Sequence, residues 1–269
     1  VEAPHSSVLR CPLVNGGIQN CSKMPVVQSP AQCGVQPTMH VRDLFALSSQ
    51  KLLVAGFTVV DTKASPAGHT VARVGVWDGN TDTDCGALGV YSGEIYLSGV
   101  NGNGTLAIDQ YGYGVREIFH AIDGAGADNV WVAGTLGRLV KYDGNDWSLM
   151  TPNAHPATQH WNSHHTVHGL AVTDTEVHAV GDGVGAYRGG CRDAFYLHAS
   201  RHDGEWVFDH LTHFSSLLSD CGDPPFENTG LRAIHRDPLT HDLLTVGWST
   251  ESNNAPNKAR LLIMRLEKP

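Results

Sequence analysis

A cluster of histidines is the first part of the sequence that suggests chemistry. Neutral imidazole is the commonest protein ligand for transition metals such as zinc and copper. No cysteine lies nearby, and Pro156 and Asn162 favour a loop over the helix of an HExxH site. We therefore expect a zinc or copper site, alone or completed by a histidine from a neighbouring repeat, with a solvated polar loop as the alternative. The cluster is His155, His160, His164, His165 and His168, and the last four are the expected ligands.

A second set of polar residues precedes or interrupts short apolar stretches that recur along the chain. Histidine and arginine side chains converging from different repeats could bind an anionic or sugar-like ligand, or act as general acid and base. The alternative is that each arginine pairs with an acidic neighbour, because buried charges are normally paired. The expected ligand-binding residues are Arg42, Arg116, His120 and His235.

An acidic segment between positions 78 and 84 places oxygen side chains at every second residue. Hard oxygen ligands at such spacing are typical of calcium-binding loops, although Thr83 and Gly89 replace the glycine and glutamate that an EF-hand requires. A polar hairpin extension is the alternative, since Asp and Asn favour turns. The possible calcium ligands are Asp78, Asn80, Asp82 and Asp84.

Charge and motif patterns argue against several function classes. The net charge of −9 opposes binding to nucleic acid or anionic lipid, which requires clustered Lys and Arg. No apolar run approaches the roughly 20 residues that span a bilayer, so we expect no membrane insertion. There is no GxSxG motif of a serine hydrolase, and no GK[ST] follows the glycines near Gly112.

The six cysteines favour an exported protein. Each lies beside a turn-forming residue, and no CxxC pair occurs, so three disulfides formed in an oxidising compartment fit best. We therefore expect a secreted or periplasmic location. Free thiols in a cytosolic protein are the alternative, and the disulfide pairing stays open among 15 connectivities.

Two short signatures repeat along the chain and indicate the elements that position these residues. The first is an apolar run ending in glycine, at Leu53–Gly56, Trp131–Gly134, His178–Gly181 and Leu244–Gly247. The second is an Asp-Gly pair between β-prone runs, which predicts a tight hairpin turn because Gly accepts positive φ. The pairs are Asp78-Gly79, Asp143-Gly144 and Asp203-Gly204. Each unit therefore predicts a four-stranded antiparallel meander.

The best-formed unit resembles a known repeat. Its residues Asn129 to Gly134, followed by Lys141 to Trp147, are similar to the "VWAVG…YDGxxW" blades of secreted bacterial β-propeller proteins. The resemblance implies an all-β propeller of four antiparallel blades, or five if residues 86–114 contain another. It also implies closure by an N-terminal strand, for which Met24 to Gln28 is the candidate. The motif implies a blade and no particular activity.

Together these features predict one β-propeller domain over residues 1–269. Residues 1–38 form an arm with disulfides and the closing strand, and residues 39–269 form the blades. The expected function is binding of a transition metal, a small molecule or an extracellular glycan through a histidine-rich face. An extracellular hydrolase or lyase using His and Arg, with or without a metal, is one alternative. A structural interaction module is another.

Overall fold

The fold is all-β, as predicted. In the computed structural model the regular structure of the described residues is β-strand, apart from two single-turn 3-10 helices, Thr135–Gly137 and Pro156–Thr158. No described helix has the length and apolarity needed to cross a membrane. The structure describes residues 8–10, 13–14, 17–18, 21–24, 39–48, 51–60, 69–77, 88–90, 118–145, 147–152, 156–184, 192–214, 228–250 and 259–266.

The chain divides into two compact units, Val1–Phe119 and His120–Pro269. The first unit contains two small ribbons and one four-stranded sheet. The ribbons pair β1 with β4 and β2 with β3, and the sheet has the order β5-β6-β7-β8. The strands are β1 (Val8–Arg10), β2 (Leu13–Val14), β3 (Gly17–Ile18), β4 (Ser22–Met24), β5 (Met39–Ser48), β6 (Lys51–Val60), β7 (His69–Trp77) and β8 (Leu88–Val90).

The second unit contains three antiparallel sheets, with the orders β12-β11-β10-β9, β13-β14-β15-β16 and β17-β18-β19. The predicted meander is therefore confirmed in two sheets here and one in the first unit, whereas the described last sheet has three strands. The strands are β9 (Phe119–Gly126), β10 (Asn129–Gly134), β11 (Leu139–Tyr142), β12 (Trp147–Met150), β13 (His165–Val172), β14 (Glu176–Val184), β15 (Arg192–His202), β16 (Glu205–His213), β17 (Asn228–Arg236), β18 (Leu243–Thr250) and β19 (Ala259–Leu266).

Both repeated signatures have structural counterparts. The apolar-glycine signature lies on the second strand of every large sheet, namely β6, β10, β14 and β18. Asp203 and Gly204 join β15 to β16 with φ of 52° and 90°, which is the doubly positive turn of a tight hairpin. Gly144 has φ of 100° between β11 and β12. The turn at Asp78-Gly79 lies outside the described residues.

Two buried clusters hold the sheets of the second unit together. One contains Trp131 and Leu139 of the first sheet against Phe195 and Leu197 of the second. The other joins residues of the middle sheet to Leu231, Ile234 and Leu243 of the last. A polar link crosses the first boundary, where the backbone N–H of Val172 donates to Asp123 Oδ2 at 2.8 Å. The first strands β9, β13 and β17 are thus brought side by side in a packed frame.

Several expectations stay predictions. Cys21 is disulfide-bonded, but the other five cysteines lie outside the described residues, so the number of disulfides is untested. Met24 pairs with Val8 of β1, and positions 25–28 are outside the described residues, so closure by that segment is also untested. A fifth blade within residues 86–114 is untested too, because only β8 of that range is described.

Candidate functional site

A recurrent bulge creates the site. Where the first and second strands of a sheet pair, the register slips by one residue between Val41 and Asp43, between Val167 and Gly169, and between Leu231 and Ala233. A bulge bends the strand and re-aims the side chain of the extra residue, and bulges are common beside binding sites. The extra residues are Arg42, His168 and Arg232.

The signature glycine lies opposite each bulge, and the close backbone approach explains it. A Cβ on Gly56, Gly181 or Gly247 would clash with the carbonyl oxygen of the first-strand residue two positions before the bulge: His40, Thr166 or Gly230. Any larger residue would push the two strands apart. The glycine of the sequence signature is therefore a requirement of the bulge and not of a turn.

The residue after each signature glycine contacts the bulged side chain. The Arg42 guanidinium lies 5.3 Å from the Phe57 ring centroid, and that of Arg232 lies 5.7 Å from the Trp248 ring. In the middle sheet the contact is polar, since His168 Nε2 lies 2.9 Å from Asp182 Oδ2. The residue after the signature glycine is thus Phe57, Asp182 or Trp248, so the bulged side chain meets a different partner in each of the three sheets.

In the second unit the bulged residues and their partners meet His120 of β9. We call this group the first-strand cluster: His120, His168, Asp182, Arg232 and Trp248. The rings of His120 and His168 have centroids 4.8 Å apart. Arg232 Nη1 lies 3.0 Å from His168 Nδ1 and 2.6 Å from its Nε2, and Arg232 Nη2 lies 3.5 Å from Asp182 Oδ2. Three consecutive sheets therefore contribute one side chain each from their first strands.

One proton arrangement satisfies this network. The Nε2–H of His168 donates to the Asp182 carboxylate, and the Arg232 guanidinium donates to the lone pair on His168 Nδ1, so the closer approach of Arg232 Nη1 to Nε2 is a contact between two donors and not a hydrogen bond. The side chains of Asp182 and His168 are nearly buried, at 5% and 10% exposure, whereas Arg232 remains 43% exposed. The buried pair thus holds an arginine that still faces solvent.

The first-strand cluster also needs a small residue beside it. A Cβ on Gly230 would lie 2.9 Å from Trp248 Nε1 and 3.2 Å from Asp182 Oδ2. Cβ contacts this short force a neighbour to move. Gly230 therefore leaves space for the indole and the carboxylate to approach the same side of β17.

The other predicted ligand-binding residues lie elsewhere. Arg42 belongs to the first unit, where it is exposed over Phe57. His235 is exposed at the far end of β17, where its charge acts on Asp237 of the following turn. Arg116 lies outside the described residues. Of the three that the structure describes, it brings His120 alone into the first-strand cluster.

The predicted metal ligands separate. The segment was expected to be a loop, but β13 begins at His165, so His165 and His168 lie on a strand. Their rings contact different partners, whereas His160 and His164 are exposed. Within the described ranges, no group of three or more His, Cys, Asp or Glu side chains is arranged to hold a metal. His155 and the possible calcium ligands, Asp78, Asn80, Asp82 and Asp84, are outside those ranges.

His165 forms a second group with two residues that the sequence did not single out. We call His165, His213 and Asp193 the two-histidine cluster. The Nε2 atoms of His165 and His213 are 3.5 Å apart. Burial lowers the pKa of His165 to about 4 and also lowers that of His213, while the charge of Asp193 opposes the latter shift. Both rings are therefore neutral at pH 7.

The His165 ring is held tightly by its surroundings. It stacks on Trp161 with centroids 4.6 Å apart and meets the Phe195 ring edge-on at 5.2 Å. A Cβ on Gly183 would lie 2.9 Å from its Cδ2, so the strand itself closes the third side. Trp161 donates from Nε1 to the carbonyl oxygen of Gly137 at 3.0 Å, which anchors the segment before β13 to the preceding sheet.

Comparisons with known proteins leave the family open. No family model and no curated protein matches the chain. Two solved structures are similar in fold at low level. One is the N-terminal domain of Nup159, with TM-score 0.38 and 9% identity over 86% of this chain and 60% of that one. The other is a thermostable family-43 glycoside hydrolase, with TM-score 0.36 and 12% identity over 83% of this chain and 70% of that one. The chain thus spans less than two thirds of the Nup159 domain, and neither likeness carries a functional argument.

Proposed function

We propose that the protein is a secreted β-propeller that binds an extracellular glycan through the first-strand cluster. The observation that carries the proposal is the convergence of His120, His168 and Arg232, one residue from each of three first strands. Small-ligand sites typically combine a few well-placed polar groups with aromatic surface. Residues that served only to fill the core would not present a 43% exposed guanidinium over an indole.

The chemistry of the first-strand cluster suits a sugar better than a strongly anionic ligand. The Asp182 carboxylate already balances the Arg232 guanidinium, so the group has little net charge to offer an anion. Together the two side chains supply an acceptor and several donors for hydroxyl groups. Trp248 and His120 add ring surface, which packs against the apolar face of a sugar.

Arg232 allows a direct test with a matched control. We expect the parent protein to bind one member of a panel of neutral and acidic oligosaccharides in isothermal titration calorimetry. Arg232→Ala should abolish that binding. Arg265→Ala should retain it, because Arg265 is also an exposed arginine paired with an aspartate of the same sheet, Asp242 at 2.8 Å. Loss in both variants, or no binding by the parent, would contradict the proposal.

A hydrolase or lyase is the second candidate, and one contact favours it. His168 Nε2 lies 2.9 Å from Asp182 Oδ2, which is how a carboxylate orients a histidine base, and a substrate that moves Arg232 off Nδ1 would free that nitrogen to take a proton. Incubating the protein with the oligosaccharide that binds, and measuring new reducing ends or unsaturated sugars, distinguishes the two. Product formation that His168→Gln removes would favour the enzyme, and unchanged sugar would favour the binding protein.

A further inference from the structure

The two-histidine cluster has a geometry that a hydrogen bond alone does not explain. A hydrogen bond between two ring nitrogens is normally shorter than the 3.5 Å between His165 Nε2 and His213 Nε2. Two imidazoles that share a tetrahedral zinc ion place their nitrogens about 3.3 Å apart, because each Zn–N bond is about 2.0–2.1 Å. The observed separation is close to the value for a shared metal.

The second nitrogen of His165 is placed as metal-bound histidines require. Its Nδ1 lies 3.2 Å from the backbone oxygen of Asn162 and at the same distance from the backbone nitrogen of that residue. Metal-bound imidazoles almost always donate their other N–H to a carbonyl or a carboxylate. A metal at Nε2 would select the tautomer in which Nδ1–H donates to the Asn162 carbonyl.

A buried carboxylate lies close enough to His213 for its charge to act on that ring. Asp193 is 8% exposed, and its Oδ1 has no hydrogen-bond partner among the described residues. An unsatisfied buried carboxylate oxygen is costly, so a cation close to Asp193 would offset its desolvation. This second observation is independent of the separation between the rings.

We infer that His165 and His213 bind one zinc or copper ion through their Nε2 atoms, with Asp193 supplying the nearby negative charge and water completing the coordination. Imidazole is a preferred ligand of both metals. The inference keeps one of the four ligands expected from the sequence, His165, and replaces the other three by a residue from the far edge of the same sheet. It is independent of the proposed glycan site, since none of its residues belongs to the first-strand cluster.

Zinc titration of the chelator-treated full-length protein tests the site. With Zn²⁺ delivered against a weak chromophoric chelator, we expect one equivalent to bind per chain. His213→Gln should weaken that equivalent by more than about 10-fold, since even a residue behind the ligands costs that much. His202→Gln is the matched control, because His202 is an exposed histidine of the same sheet, and it should leave the affinity unchanged.

A measurement on the parent protein covers the case in which the variant fails to fold. Zinc added to protein labelled with ¹⁵N at histidine should shift the side-chain signals of His165 and His213 and leave those of His160, His164 and His168 in place. The inference is wrong if zinc shifts the latter three instead, if the parent binds no zinc, or if a folded His213→Gln binds zinc as tightly as the parent.

Discussion

Two histidines of strand β13, His165 at its start and His168 at its central bulge, have opposite surroundings. His165 lies among Trp161, Phe195 and a second neutral imidazole, and burial lowers its pKa to about 4. His168, three residues later and at a bulge, touches a carboxylate and a guanidinium. Residue type alone therefore does not set the role of a histidine. The position along the strand and the bulge register decide whether its ring meets aromatic neighbours or charged ones.

The largest effect on stability should come from lowering the pH, because His165 is buried in its neutral form. Its folded pKa of about 4 is below the ordinary 6.5, so below pH 6.5 the unfolded chain takes up a proton that the folded chain excludes. The associated stability is present above pH 6.5 and is lost progressively as pH falls to about 4, a loss of about 3 kcal/mol. His213, His164 and Asn162 are the groups that act on the ring, and the shift at His213 adds in the same direction.

Urea unfolding of chelator-treated protein at pH 7 and pH 4.5 measures this loss. His165→Gln should remove much of the difference between the two pH values, whereas Thr166→Ser, on the neighbouring and non-titrating position, should keep it. An equal pH dependence in the parent and His165→Gln would show that the ring is not buried as described.

The second-largest difference in stability should come from removing the carboxylate of each cluster. Asp182→Ala leaves the His168 N–H and the Arg232 guanidinium without their acceptor, which costs about 1–3 kcal/mol. Asp193→Ala removes a carboxylate whose Oδ1 accepts no hydrogen bond from a described residue, so without metal it should cost less than Asp182→Ala. Chemical denaturation in the presence of a chelator measures the free energy of unfolding of both variants. A larger loss for Asp193→Ala than for Asp182→Ala would contradict this expectation.

A pair of glycine substitutions should have a smaller effect. Gly183→Ala presses a methyl group against the His165 ring, which is confined between Trp161 and Phe195, and should cost about 1–2 kcal/mol. Gly230→Ala meets Trp248, which is only half-buried and can move, and should cost less than about 1 kcal/mol. Thermal unfolding of the two variants checks the order, and the reverse order would mean that the Trp248 side is the rigid one.

The smallest effect on stability should come from Arg232. Because its guanidinium is 43% exposed, Arg232→Ala should change the free energy of unfolding by less than about 1 kcal/mol. The same variant should lose the oligosaccharide. A large loss of stability would instead favour the alternative in which arginine and acid serve to hold neighbouring sheets together.

Sequence patterns were sufficient for the repeats and insufficient for the pairing details. The Asp203-Gly204 turn was predictable because it is a local backbone requirement, and the apolar-glycine signatures predicted second strands because the same run recurs in each sheet. Asp182 and Trp248 were missed, although each directly follows a signature glycine, since the bulge that aims a first-strand residue at that position arises only when strands pair.

The extent of the loop around the histidine cluster was predicted wrongly for a related reason, because β13 begins at His165. Pro156 and Asn162 suggested a loop as far as position 168, so the odd spacing of His165 and His168 on a strand was not considered. His168 is also the extra residue of the bulge, so the regular alternation of the strand does not set the direction of its side chain. His213 and Asp193 lie 48 and 28 positions from His165, a distance at which spacing gives no information on contact.

The most direct test of the different roles of His165 and His168 is a crystal structure of the protein with zinc and the bound oligosaccharide. The data would be collected at the zinc absorption edge. We expect one anomalous peak between the Nε2 atoms of His165 and His213, and sugar density against Arg232 and Trp248. A zinc peak at His168, or sugar density remote from Arg232, would contradict the assignment of His165 and His168 to different chemistry.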